Sequence, residues 1–389
     1  MRKSILLLTS AAHCVNHMFW ESVGPLLPFL IVAFDLTHTQ AGKLGFVYSI
    51  TYGLLNYPAG HWSDRYGRRI FILLFLIVAS SATLMIAFSK THTQLFFFFA
   101  LAGIGGGLYH PPGTALLSNA YPENMRGRAM GLHASGGAFG IVLAYAVIGG
   151  IASVWNWKAA LVCLSGIGFT LDLVYRTLLW HVDEKPFVEE APERNGNSEP
   201  VGIWTLIKWM PLMLAFYGFA IFLFKGAYVW VPTFLKETYG FSPSKAIVFA
   251  AILPAIGIFS NYIMGRFSDH FGRRFGLVLV FSILCICFLS LSLGTRSILI
   301  PLLIVLGFFL NSFSGIINAY TGDYVPPQIM GKAFGMVFTF SICVSSFAPY
   351  IMGIISDKSS LAMSMAFLGA VSFVGAVVAL KKPKRIKIS

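Results

Sequence analysis

Apolar stretches of about 18–25 residues alternate with short polar joints along the whole chain, and each is long enough to cross ~30 Å of hydrocarbon as a helix. They fall at roughly 4–33, 41–62, 70–89, 94–117, 129–153, 158–180, 206–235, 244–266, 275–294, 298–321, 331–355 and 360–380. In lipid the backbone must satisfy its own polar groups, which leaves helices as the form for such runs. The pattern predicts an all-α membrane protein with twelve transmembrane helices.

The first run breaks the apolar rule near its centre, where it carries His13, Asn16, His17 and Glu21. A charged side chain at the bilayer midplane costs roughly 2.5–3.5 kcal/mol even on lenient insertion scales, so ionisable groups at that depth point to function. At 3.6 residues per turn, positions 13, 17 and 21 share one helix face, and that face is expected to look inward. Arg2 and Lys3 precede this run as in a signal peptide, but its length, its His and Glu residues and the lack of a small-x-small cleavage site argue for a retained span.

Composition narrows the class. The 389 residues are 57% hydrophobic and 11% charged, too little polar surface for a soluble globule of this size. A net charge of +13 would suggest nucleic acid in a soluble protein. Here, with the N-terminus placed in the cytoplasm, about 20 of the 28 Lys and Arg fall on cytoplasmic segments, as the positive-inside rule requires. That reading excludes nucleic acid and puts a multi-pass protein in the cell (inner) membrane with both termini cytoplasmic. Cys14, Cys163, Cys285, Cys287 and Cys343 all lie inside spans, without paired spacing for a metal or a disulfide.

The joint after the second span reads GHWSDRYGRR over residues 60–69, and a near copy, GRFSDHFGRR, stands at 265–274. GRAMG at 127–131 and GKAFG at 331–335 repeat at an offset of 204, as do Pro28 and Pro232. Three matches at nearly one offset, 205 for the joints and 204 for the others, indicate two related halves of six spans. Residues 181–202, rich in acids, Pro, Gly and Asn, read as a flexible linker. The expected division is an N-terminal bundle at 1–180, a cytoplasmic linker at 181–203 and a C-terminal bundle with a basic tail at 204–389. The first copy, Gly-x-x-x-Asp-Arg-x-Gly-Arg-Arg, resembles the signature loop of the major facilitator superfamily, and in the second His270 replaces the basic residue after the aspartate. The resemblance implies the major facilitator fold, two pseudo-symmetric six-helix bundles. It also implies a conformational latch on Gly60, Asp64, Arg65, Gly67 and Arg68, with Asp269 and Arg273 in the second half.

In the fourth span, Phe99 stands where that superfamily often has an arginine linked to proton coupling. The glycines at 103, 105, 106 and 107 would let helices approach closely, and Tyr109-His110-Pro111-Pro112 would break the helix. GLHASGGAFG at 131–140 resembles the superfamily's glycine-rich antiporter motif, with Tyr145 where its proline is expected. His13-x-x-Asn16 with Tyr109-His110-Pro111 resembles the fosmidomycin-resistance-like branch, with His17 in place of an aspartate.

Subtracting the repeat offset brings Lys225, the lysine well inside a span, onto Glu21. The two are expected to face each other across a central cavity, Glu21 as proton carrier and Lys225 as the charge that attracts an anion. His13 and His17 would relay protons or bind solute, with Asn16, Tyr109, His110, Tyr217, Asn311 and Asn318 as further lining candidates. Asp172 and Arg176, four apart, are expected to neutralise each other. The expected function is secondary active transport of a small anionic or amphiphilic organic solute, proton-coupled, by alternating access. The expected partners are that solute, protons and the bilayer, with the protein acting as a monomer. No cofactor, metal site or enzyme activity is called for, because neither a nucleophile with its base nor a nucleotide motif is found at usable spacing. Two other readings stay open: transport of a transition metal or metal chelate using His13, His17 and Glu21, and a non-transporting membrane sensor.

Overall fold

The structure, a computed structural model, describes residues 2–179, 203–325 and 330–381. The linker and the basic tail lie outside the described residues. The first half comprises α1 (Arg2–Trp20), α2 (Val23–Phe34), α3 (His38–Tyr66), α4 (Arg68–Ala87), α5 (His92–Gly107), α6 (His110–Ala120), α7 (Glu123–Val154) and α8 (Trp157–Leu179). The second comprises α9 (Ile203–Trp209), α10 (Pro211–Tyr239), α11 (Pro243–Ala250), α12 (Ile252–Phe271), α13 (Arg273–Ser292), α14 (Leu299–Leu310), α15 (Phe313–Tyr324), α16 (Met330–Lys358) and α17 (Leu361–Ala379). Ten stretches among the described residues are each long and apolar enough to span. The other two of the twelve are α3, 29 residues long but more polar, and the interrupted pair α5–α6.

The interruptions have local causes. The first span was expected to be one helix, but it breaks at Glu21-Ser22. Pro25 has no N–H to return to the carbonyl of Glu21, and the Ser22 hydroxyl donates to the Phe19 carbonyl at 2.6 Å. The Glu21 N–H still reaches the His17 carbonyl at 2.9 Å, so the carboxylate leaves the helix only after completing that turn. At the repeat-related position the second half has Val229, and α10 runs unbroken. Both fourth spans break at matching places, by different chemistry. Pro111 and Pro112 open the first of α6 from α5, whereas Asn311 Nδ2 donates to the Gly307 carbonyl at 2.7 Å and Ser312 Oγ to that of Phe309 at 2.8 Å. Side chains there compete with the helical ladder for its own acceptors.

The chain forms two compact units, Met1–Leu26 with Val47–Glu199, and Leu27–Phe46 with Pro200–Ser389. In the first, α1 lies along α7, and α4 along α5 and α8. The expected close approach of α5 is realised: a Cβ on Gly105 would come within 2.6 Å of the Ala79 backbone, and one on Gly107 within 2.6 Å of the Tyr52 carbonyl. In the second unit α10 lies along α16, α13 along α17 and α12 along α14. There the Trp230 indole donates to the Pro349 carbonyl at 2.9 Å. Large apolar side chains such as Leu7, Phe97, Leu173, Phe259 and Phe373 point outward, the arrangement a lipid-facing surface requires.

Candidate functional site

In the first unit three elements deliver imidazoles to one place. Two come from α1, where His13 and His17 stand edge-to-face with ring centres 4.7 Å apart. The break after α5 turns His110, the first residue of α6, to within 5.0 Å of His13 and 5.5 Å of His17. From α7, His133 lies flat on His13, centres 4.2 Å apart and planes within 6°. Glycines make this possible. The backbone of α7 meets that of α1 where Gly136 and Gly140 face the carbonyls of Ser10 and Cys14, and a Cβ on Gly137 would sit 2.6 Å from His13 Cε1.

Around the imidazoles lies a tyrosine shell. The Tyr109 hydroxyl donates to the Thr9 carbonyl while its ring stacks 5.8 Å from His13. Asn16 is completely buried and commits both ends of its amide: Nδ2 donates to the Gly106 carbonyl and Oδ1 accepts from the Tyr52 hydroxyl, each at 2.9 Å. Its place in the structure is that of a brace joining α1, α3 and α5. Trp20 stacks on Tyr52 at 4.4 Å. Glu21 is buried with them, 3% exposed.

The second unit holds Lys225 in the middle of α10 with 2% of its surface exposed. About two turns earlier on α10, the Tyr217 hydroxyl donates to Asn318 Oδ1 of α15. Asn311 accepts from the Tyr228 hydroxyl at 3.0 Å and donates to the carbonyls of Leu253 and Gly307, which ties α10, α12 and α14 together.

The signature loops behave alike in the two units. Gly67 and Gly272 both have φ near +100°, at 100° and 96°, a conformation that excludes most side chains. Each lets an arginine turn back: Arg68 pairs with Asp64 at 3.2 Å and reaches the Ala115 carbonyl of α6, while Arg273 pairs with Asp269 and also with Asp323 of α15 at 3.4 Å. Gly60 lets α3 close on Pro111, and Arg65 lies over the ring of Tyr66. The expected pair Asp172–Arg176 forms at 2.8 Å.

Sequence reasoning did not assign several of these groups to the site, His133 being read as equally able to cap, pack or bind. His133 was legible in principle, because it shares a face with Gly137 and Gly140, the close-approach face of α7. Asp323 carried no motif. A further cluster in the second unit was also missed: the Asp357 carboxylate accepts from the backbone N–H groups of His38 and Thr39 at 2.9 and 2.7 Å, capping the start of α3. The His38 ring meanwhile meets both Glu237 oxygens at 3.2 Å and the Ser356 hydroxyl at 2.9 Å. Those contacts join residues some 200 and 320 positions apart, which no local pattern records.

A family model of the Major Facilitator Superfamily matches residues 9–297 and again 257–387. The chain belongs to the Major Facilitator Superfamily. It is a multi-pass membrane protein of a transporter family and not an enzyme. Among its relatives, the hexuronate transporter of Bacillus subtilis strain 168 is 26% identical over 94% of this chain and 90% of its own length. The probable L-galactonate transporter of Escherichia coli K12 is 23% identical over 97% and 88%. A solved bacterial homologue of the human lysosomal transporter Spinster superposes with a TM-score of 0.81 at 18% identity, covering 97% of this chain and 96% of that one. Together with the family match, that likeness shows the superfamily's fold.

Proposed function

We propose that this superfamily member moves a small organic anion of the sugar-acid class across the cell membrane by alternating access, driven by protons and working as a monomer. Lys225 carries the reading. An ionisable side chain with 2% of its surface exposed in the middle of an apolar span points to function, and the positive charge of a lysine suits a carboxylate solute. The names of the relatives point the same way, since hexuronate, galactarate or glucarate, and L-galactonate are all carboxylates at neutral pH. The short strings shared with the fosmidomycin-resistance-like branch would widen the solute to amphiphilic anions, but the sugar-acid relatives match over nearly the whole chain.

In this scheme Lys225 holds the solute carboxylate, and Tyr217 with Asn318 offers hydrogen bonds to its hydroxyls. Glu21 sits at a helix break and is the acid placed to take up and release a proton during the cycle. Arg68 and Arg273 with their carboxylates brace the cytoplasmic helix ends in one state.

The test is uptake of radiolabelled hexuronate into proteoliposomes under an imposed pH gradient. Lys225→Met is expected to lower uptake at least tenfold, and Glu21→Gln to lose the acceleration by the gradient while keeping solute exchange. Unchanged hexuronate flux in Lys225→Met, or none in the wild type, would overturn the anion reading. A Glu21→Gln protein that still follows the gradient would overturn the proton assignment.

A further inference from the structure

The imidazole cluster of the first unit has a feature that anion transport does not use. His13 is buried, with 7% of its surface exposed, and its Nδ1 lies 2.8 Å from the main-chain carbonyl of His133. A carbonyl only accepts, so Nδ1 carries the proton, and in the neutral ring Nε2 is left with a lone pair. That Nε2 has no hydrogen-bond partner among the described residues, and neither does either ring nitrogen of His133. Burying an imidazole acceptor this way is unfavourable unless something occupies it. An imidazole whose other nitrogen donates to a backbone carbonyl is the arrangement that holds metal-ligating histidines in tautomer and orientation.

The geometry around it fits the same use. One ring nitrogen from each of His13, His17 and His110 lies within 4.8 Å of the others. Around a tetrahedral ion with bonds of about 2.0–2.1 Å, ligand nitrogens stand roughly 3.3 Å apart, which small ring rotations supply. Two ligands one helical turn apart on α1 and a third at the start of α6 form one face of a tetrahedron, and Gly137 leaves the space their rings need. His13 is buried, and His17 and His110 are half-buried.

We propose that His13, His17 and His110 bind one divalent first-row transition-metal ion, Zn2+ or a congener, inside the first unit. Three neutral nitrogen donors suit zinc, nickel and cobalt and not magnesium or calcium, which take oxygen ligands. Three protein ligands leave a fourth position open to water or to an oxygen of a solute. His133 serves by its main-chain carbonyl and by stacking, as a positioning residue. The site needs neither Glu21 nor Lys225, and it stands or falls apart from the anion reading.

The experiment uses the full chain, purified without a polyhistidine tag and stripped with chelator, then titrated with Zn2+ in a thermal-unfolding assay and with Co2+ by visible absorption. The expected result is saturation at about one equivalent, a rise in Tm with Zn2+ but not Mg2+, and the intense visible bands of tetrahedral Co2+. His13→Gln and His110→Gln are each expected to weaken binding by more than roughly tenfold. His133→Phe, which keeps the carbonyl and the stack, is expected to retain it. The metal-free Tm of each variant shows that it is folded, and His17→Gln stands in should either of the first two fail that check. The proposal is overturned if the wild type takes up no Co2+ at one equivalent, or if binding persists when His13, His17 and His110 are all replaced and the other six of the nine histidines remain.

Discussion

Single side chains around α1 act through two effects of different size. Adding a methyl where Gly137 faces His13 Cε1 at 2.6 Å forces an imidazole or a helix to move, and overpacking of that kind costs about 1–3 kcal/mol. Removing the Tyr52 hydroxyl takes away one interhelical hydrogen bond, that to Asn16, and such bonds in membrane bundles average roughly 0.6 kcal/mol. Steric displacement therefore outweighs the lost bond. Gly137→Ala is expected to lower the unfolding temperature of the purified protein more than Tyr52→Phe does, and the opposite order would refute this account of the α1–α7 contact. The residues concerned differ in how far the chain announced them. Glu21, His13 and Lys225 stand out because ionisable groups are rare in apolar runs, so their burial was legible. That Asn16 is a brace was not, because its partners lie 36 and 90 residues away.

Helix ends depend on whether the needed partner is local. Pro25, Pro111 and Pro112 break helices from within, by withholding N–H groups, and the interruption at His110 could be read directly. The start of α3 is different: its first N–H groups are met by Asp357 from the end of α16, a carboxylate at a helix N-terminus where the dipole favours negative charge. Losing a capping acceptor costs about 0.5–2 kcal/mol. Asp357→Ala is therefore expected to destabilise the purified protein by about that much, with Asp357→Asn, which keeps one acceptor oxygen, falling between it and the wild type. Equal stability of all three in denaturation measurements would exclude a capping role. Glycine was legible at the signature loops for a similarly local reason: Gly67 and Gly272 occupy a positive-φ turn, and the motif around each is a record of that turn.

For the molecule as a whole, charge placement predicts orientation. About 20 of 28 basic residues lie on segments that a cytoplasmic N-terminus assigns to the inside. An alkaline phosphatase fused after Asp35 is expected to be active and one fused after Ser389 inactive, with the reverse for a fluorescent reporter that folds only in the cytoplasm; activity at both sites would refute an even number of spans. The spans, their number and the internal repeat were determined by the sequence alone, because hydrocarbon thickness sets helix length and a shared offset survives divergence. Which helices touch was decided only by the tertiary structure. The stacking of His133 on His13, the pairing of Arg273 with Asp323 and the grouping of Leu27–Phe46 with the second unit all join positions distant in the chain. Local hydropathy specifies that a residue is in the bilayer and which face of its helix is polar, but the neighbour it meets follows from close packing between helices, which depends on many residues at once.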